Sequence, residues 1–334
     1  MAEEENWREL LKSLISDPRQ RQHMAEIAGI NPVTLLRWAA GKSKPRWENL
    51  QPILEAYPRY RKQFIASLAA EYPQFFIDDQ DAEKPTLEIP AAFYSRVLKA
   101  YTSLPVQMRM SSICTLILNH IVDQLDPQHL GLVAVIVQCT PPTSEQKIRS
   151  LRTTLGRGTP PWPRQTEQGT LFLGAESQTG YAVISGHPVV IHSAHEKLHM
   201  FPTHHVFYEE SAFTTPLMLD HRTAGCLYVA STQADYFTQQ RQNLVQEYAE
   251  LLVIAFDETM LFDLNRVDPG LMPSYEQQKP LLHHFQQRVY DCLVQAMRNQ
   301  QPLTRMQAEA MVWSSIEEEL LRYSIPKIKQ STRK

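Results

Sequence analysis

Two groups of side chains in this sequence have the types and spacing to do chemistry. The first is cationic. Arg19, Arg21, Arg37, Lys42, Lys44 and Arg46 stand against Glu26 alone within residues 19–46, a local +5 inside a chain of formal net charge −3. Cations gathered on one segment of an otherwise acidic chain can hold a polyanion, because phosphate contacts supply most of the sequence-independent affinity for nucleic acid. A solvated charged face is the plainer alternative. The second group is imidazole. His187, His192, His195, His199, His204 and His205 are six of the twelve histidines and fall within nineteen residues. His195 and His199 are four apart, so on a helix both rings share a face and are spaced to share a metal or offer an axial ligand to haem. Imidazole also titrates near neutrality, which leaves proton sensing open beside a polar loop that is merely rich in histidine. Nothing else completes a metal set at diagnostic spacing, so no metal site and no cofactor are assigned.

The cations need a scaffold, and residues 25–42 describe one. Gly29 can take the positive φ of a sharp helix exit, Asn31 suits an N-cap, Pro32 suits the first helical position, and Gly41 ends the second helix. Leu35 and Trp38 point inward with Met24, Ala28 and Ile30, leaving Pro32, Val33, Thr34 and Arg37 outward. A helix over Glu4–Ile15 precedes the pair, whose first member starts near Pro18 or Arg21. A helix carrying Leu50, Ile53, Leu54 and Tyr57 follows Lys44-Pro45-Arg46, then a fifth near Arg59–Glu71.

Gly29 to Gly41 resembles the helix-turn-helix of the lambda-repressor-like (XRE-type) family, matched in length without a gap. The resemblance implies an all-α DNA-binding domain over residues 1–77, with double-stranded DNA as partner. Its contacts would be Arg21, Pro32, Val33, Thr34, Arg37, Lys42, Lys44 and Arg46. One departure matters. Pro32 and Val33 occupy positions where the family usually reads bases with polar side chains, so direct readout falls to Thr34 and Arg37, the latter favouring guanine. DNA shape, or a helix-turn-helix kept for protein contact, are the alternatives.

The acidic, polar stretch from Asp78 to Pro85 reads as a linker, placed at 78–90. Connecting helices follow at 91–127, broken near Leu104-Pro105. Beyond them come strands at Gly131–Val137, Leu151–Leu155, His187–Ile191, Ser211–Leu219 and Cys226–Ser231. Helices are expected over Leu171–Ile184 and after Phe237, and Asp220–Gly225 is expected to link the last two strands. The words Gly180–Ile191, Glu210–Leu217 and Ala224–Val229, in that order, resemble the GAF family of small-molecule sensor domains. The resemblance implies an α+β domain over 128–263, an antiparallel sheet flanked by helices. Its ligand pocket would lie between the sheet and about Ser193–Glu210. The ligand-binding candidates are His192, His195, His199, His204, His205 and Tyr208.

Residues 274–325 read as a C-terminal helical hairpin, with apolar stripes at Leu282, Phe285, Val289, Leu293 and Met297, and at Met306, Met311, Val312, Ile316, Leu320 and Tyr323. Cys114, Cys139, Cys226 and Cys292 are scattered without a C-x-x-C pair, which indicates neither a disulfide framework nor a zinc site. No G-x-S-x-G, P-loop or kinase set is present, so no enzymatic activity is expected. No apolar stretch is long enough for a bilayer, and the expected location is the cytoplasm. The chain is thus expected to be a multidomain, homodimeric one-component transcriptional regulator. A non-enzymatic signalling adaptor and a haem or metal redox sensor are the alternatives.

Overall fold

The computed structural model describes residues 6–72, 87–142, 146–165, 170–204 and 206–323. The chain divides into two compact units, Met1–Glu88 with Gln128–Leu130, and Ile89–Pro127 with Gly131–Lys334. Most of the expected linker, and the tail beyond Tyr323, lie outside the described residues.

The first unit is helical: α1 (Trp7–Leu14), α2 (Pro18–Ile27), α3 (Pro32–Ala39), α4 (Trp47–Ala56) and α5 (Pro58–Glu71). Its joints are set by local chemistry. The side chains of Asp17 and Asn31 cap α2 and α3 by accepting from the backbone N–H of Arg19 and Val33, and each helix opens on a proline. Such caps are worth about 1 kcal/mol each. Gly29, at φ +63, turns the chain between the two helices. Trp7, Leu11, Met24, Leu35, Trp38, Leu50 and Phe64 fill one core between the five helices.

The second unit opens with α6 (Ala91–Ser103) and α7 (Val106–Leu125), parted at Leu104-Pro105, where proline cannot continue the first helix. The strands β1 (Leu132–Cys139), β2 (Leu151–Gly158), β3 (Phe172–Leu173), β4 (Val189–Ile191), β5 (Ser211–Leu219), β6 (Arg222–Ser231) and β7 (Phe262–Asp263) form one antiparallel sheet. Its order is β3-β2-β1-β6-β5-β4, with β7 beside β6. Helices α8 (Gln178–Ser185), α9 (Ala194–Met200) and α10 (Gln239–Val253) lie between the strands in sequence.

Alternation along the strands divides the core. Cys226, Tyr228 and Ala230 of β6 share a cluster with Val183 of α8, Ile191 and Phe201, while the buried Leu227 and Val229 face the other way. Helices α7 and α10 pack on each other and on the sheet. Gly225, at φ +134, is required where β6 crosses β1, because a Cβ there would stand 2.0 Å from the Val137 carbonyl oxygen.

Three helices complete the unit: α11 (Tyr275–His283), α12 (Phe285–Arg298) and α13 (Arg305–Tyr323). Val289, Ala308, Val312, Ile316 and Leu320 close over Phe172 of the edge strand β3. The buried Gln278 treats that strand as a neighbour would. Its Oε1 accepts from the Phe172 N–H at 2.9 Å and its Nε2 donates to the Phe172 carbonyl at 2.8 Å.

Several expectations are corrected. The helix expected over Leu171–Ile184 is strand β3 followed by α8, because Phe172 and Leu173 pair with Arg152 and Leu151. The link expected at Asp220–Gly225 shrinks to a tight turn, with Asp220 at φ +54 and β6 already begun at Arg222. The first arm of the expected C-terminal hairpin breaks at His284, leaving α11 and α12. Of the expected apolar stripes, Val289, Val312, Ile316 and Leu320 are buried within the unit, and Met297, Met306, Met311 and Tyr323 are exposed on it.

Candidate functional site

The segment between β4 and β5 is built around α9. Ser193 caps it by accepting from the Glu196 N–H, and the Glu196 carboxylate accepts from the His192 N–H at 2.6 Å, so both ends of the first turn are tied. This fixes the next residue, Lys197, facing inward. Its side chain is 7 % exposed and that of Glu209 is 2 % exposed. The Lys197 ammonium donates to Glu209 Oε1 at 2.6 Å, to Oε2 at 2.8 Å and to the Tyr228 hydroxyl at 3.1 Å. The Tyr228 hydroxyl donates to Glu209 Oε2 at 2.5 Å. Burial pushes the Lys197 ammonium below its ordinary value, and Glu209 opposes that shift. Burial first, then Glu209, holds the Tyr228 phenol well above its own.

Above this triad lies a cavity of about 260 Å³ lined by Lys197, Glu209, His195, His204, Phe201 and Val206, among others. Its chemistry is that of a small-molecule site: mostly apolar walls, two imidazoles at the side and a buried ion pair at the base.

The six proposed ligand residues divide. His195 and His204 line the cavity. His199, although one turn from His195, is exposed and outside the lining. His192 faces Asp235, with Nδ1 3.5 Å from Oδ1. Tyr208 is exposed and packs edge-on to Trp162, with ring centroids 6.5 Å apart. His205 lies outside the described residues. Among the described residues no group of three or more His, Cys, Asp or Glu side chains is placed to hold a metal ion. Sequence reasoning missed Lys197, Glu209 and Tyr228, because a lone Lys and a lone Glu twelve residues apart carry no signal of burial.

The second candidate surface lies around α3 in the other unit. Arg37, Lys42, Lys44 and Arg46 are exposed; Arg21, Pro32 and Thr34 are half-buried. Arg21 reaches back towards the Ile15 carbonyl at 3.5 Å, which leaves it partly committed to its own unit. Val33 is 58 % exposed and its neighbour Leu36, which the sequence reading did not single out, is 43 % exposed. Cys114, Cys139 and Cys226 are buried, with no nucleophilic setting. Burial pushes Cys114 and Cys139 up to about 12 and Cys226 well above its ordinary value.

An antiparallel sheet between helical layers, with a small cavity under the segment joining two strands, defines a compact α+β domain. The GAF domain family model matches residues 109–256, so this chain carries a GAF domain there. The match begins inside α7, a helix that the sequence reading had placed in a connector. Three of the similar solved structures are as follows. One is the GAF domain from Acinetobacter phosphoenolpyruvate-protein phosphotransferase (14 % identity, 49 % of this chain and 90 % of that one, TM-score 0.34). A second is the type II free methionine-R-sulfoxide reductase from Thermoplasma acidophilum (12 % identity, 45 % and 93 %, TM-score 0.30). The third is the free methionine-R-sulfoxide reductase from Neisseria meningitidis in complex with its substrate (16 % identity, 52 % and 95 %, TM-score 0.30). No curated protein matches the chain. Among the described residues no helix is long and apolar enough to cross a membrane.

Proposed function

We propose that this chain is a one-component transcriptional regulator in which the α3 surface binds double-stranded DNA and the GAF domain senses a small molecule. The observation that carries the reading is the exposure of Arg37, Lys42, Lys44 and Arg46 on and after a capped helix whose first turn exposes Val33. A helix N-terminus with flanking cations suits a phosphate backbone electrostatically, and Thr34 and Arg37 are the groups left to read base edges. A single such module makes few contacts, so a homodimer on two half-sites is part of the proposal. Ligand control requires the small molecule to bind two arrangements of the dimer unequally. No catalytic residue is assigned.

The test is recovery of genomic fragments on the purified full chain, followed by a salt titration of binding. A recurrent two-fold sequence motif and an affinity that falls steeply with salt are expected. Absent or salt-insensitive binding refutes the DNA reading. The exposed, apolar Val33 and Leu36 favour one second reading, in which the same face docks a protein partner and the chain is an adaptor.

A further inference from the structure

The GAF-domain sheet carries a second cavity that the proposed function does not use. It measures about 340 Å³, lies between the start of α13 and strands β1–β3, and is lined by Arg152, Phe172, Met306, Trp313 and Glu317 with Pro141 and Pro142. A neighbouring cavity of about 240 Å³ shares Thr140, Pro141, Pro142 and Arg152 as its wall. Arg152 is therefore the one cation exposed to both spaces among their described lining residues.

The Arg152 guanidinium lies over the Trp313 ring, 4.3 Å from its centroid, and makes no hydrogen bond among the described residues. A guanidinium carries five N–H donors in a rigid fork that matches a carboxylate, and those of Arg152 are left to solvent or to a ligand in the cavity. Burial lowers Arg152 to about 10, so the half-buried guanidinium is still charged at neutral pH.

Two acids act on Arg152 through space without meeting it in an ion pair, Glu317 and Glu309. Glu317 is held by the hydroxyls of Thr140 at 2.8 Å and Ser150 at 2.6 Å. Glu309 accepts from Arg305 Nε at 2.8 Å. Burial raises Glu317, while Ser150, Thr140, Arg152 and Arg149 draw it back. The charges around the larger cavity are thus one unmet cation and two acids, between apolar walls.

We propose that this cavity binds an apolar α-amino acid, its carboxylate docked on Arg152, its ammonium directed to Glu309 and Glu317, and its side chain against Trp313 and Met306. A dianion such as phosphate satisfies the fork but meets both acids, whereas a zwitterion satisfies both ends. The inference is independent of DNA binding and of the α9 cavity.

The experiment is a thermal-shift and calorimetric titration of the full chain. The probes are L-leucine, L-methionine and L-phenylalanine, with leucinamide, 4-methylpentanoate and inorganic phosphate beside them. At least one amino acid should raise the midpoint saturably. The amide and the deaminated acid should bind at least about tenfold more weakly. Arg152→Gln should weaken the amino acid by about 30-fold or more, and Arg152→Lys should keep part of the affinity. Glu309→Gln, at a half-exposed position, should weaken the amino acid about fivefold and leave 4-methylpentanoate no weaker than before. Should Arg152→Gln fail to fold, Arg152→Lys and Glu309→Gln decide the matter. Binding of phosphate alone, binding of none of the amino acids, or amino-acid binding untouched by the Arg152 and Glu309 changes would each overturn the proposal.

Discussion

Lys197, Glu209 and Tyr228 allow a quantitative test of the α9 site. The substitution Lys197→Met removes the ammonium, keeps the length of the side chain and leaves the Glu209 carboxylate buried beside one hydroxyl. Breaking a buried ion pair by deleting one partner costs about 3–5 kcal/mol. With an m-value of about 2–3 kcal/mol/M, the urea midpoint of the GAF domain should fall by about 1–2.5 M. The double change Lys197→Met/Glu209→Leu removes the stranded charge but strips the Tyr228 hydroxyl of its acceptor, so a loss of about 1–3 kcal/mol should remain. Adding Tyr228→Phe should bring stability back to within about 1–2 kcal/mol of the native chain. Far-UV circular dichroism follows the transition, and hydrogen exchange at the β6 amides reports the site itself. A loss below about 1 kcal/mol for Lys197→Met, or a double variant as damaged as the single one, would refute a coupled, buried triad. The triple variant also separates stability from function: it should fold, yet lack the polar base of the α9 cavity.

Other outcomes follow from the same structure. Arg37→Ala should cost about 1–3 kcal/mol of discrimination at one base pair, whereas Lys44→Ala should weaken all DNA alike and reduce the log–log salt slope by about 0.9; equal losses on every sequence for both would reject that division of roles. Gly29→Ala meets nothing within 4 Å and should cost only its left-handed backbone, about 1–2 kcal/mol, in thermal melts. Gly225→Ala, 2.0 Å from a carbonyl oxygen, should cost about 3 kcal/mol or more and split β6 from β1. His120 is stacked on Phe93 at 3.7 Å and hydrogen-bonded to the Tyr248 hydroxyl. Burial, then Arg96, holds it below its ordinary value against the pull of Asp123. A depressed imidazole contributes stability above about pH 6.5 that is lost as pH falls through the folded value. The stability advantage of the native chain over His120→Phe should therefore narrow between pH 7 and pH 5; a constant gap would contradict this.

What the sequence made legible was local. Asn31-Pro32 and Gly29 fix the joint between α2 and α3 through caps and φ alone, and Ser211–Leu219 reads as β5 from its composition. What was hidden depends on distant partners. Phe172 and Leu173 follow a helix-like pattern until β2 claims them. Lys197 looks like any solvent-facing lysine of a short helix until Glu209 and Tyr228 meet it. The break at His284 and the exposure of Met306 and Met311 follow from how α11 to α13 seat on Phe172, which periodicity alone does not encode. The histidine cluster shows the converse: proximity in sequence, with His195 and His204 at the cavity while His192 and His199 turn elsewhere.

The amide of Gln278 imitates a missing peptide. By occupying both the N–H and the carbonyl of Phe172, it denies that margin of the sheet to any foreign strand. A version of the protein cut before Ser274 would bare the N–H and the carbonyl of Phe172 beside its uncovered ring. Such a fragment should polymerise margin to margin, so α11 to α13 act as a built-in guard against self-association as well as a lid on the core.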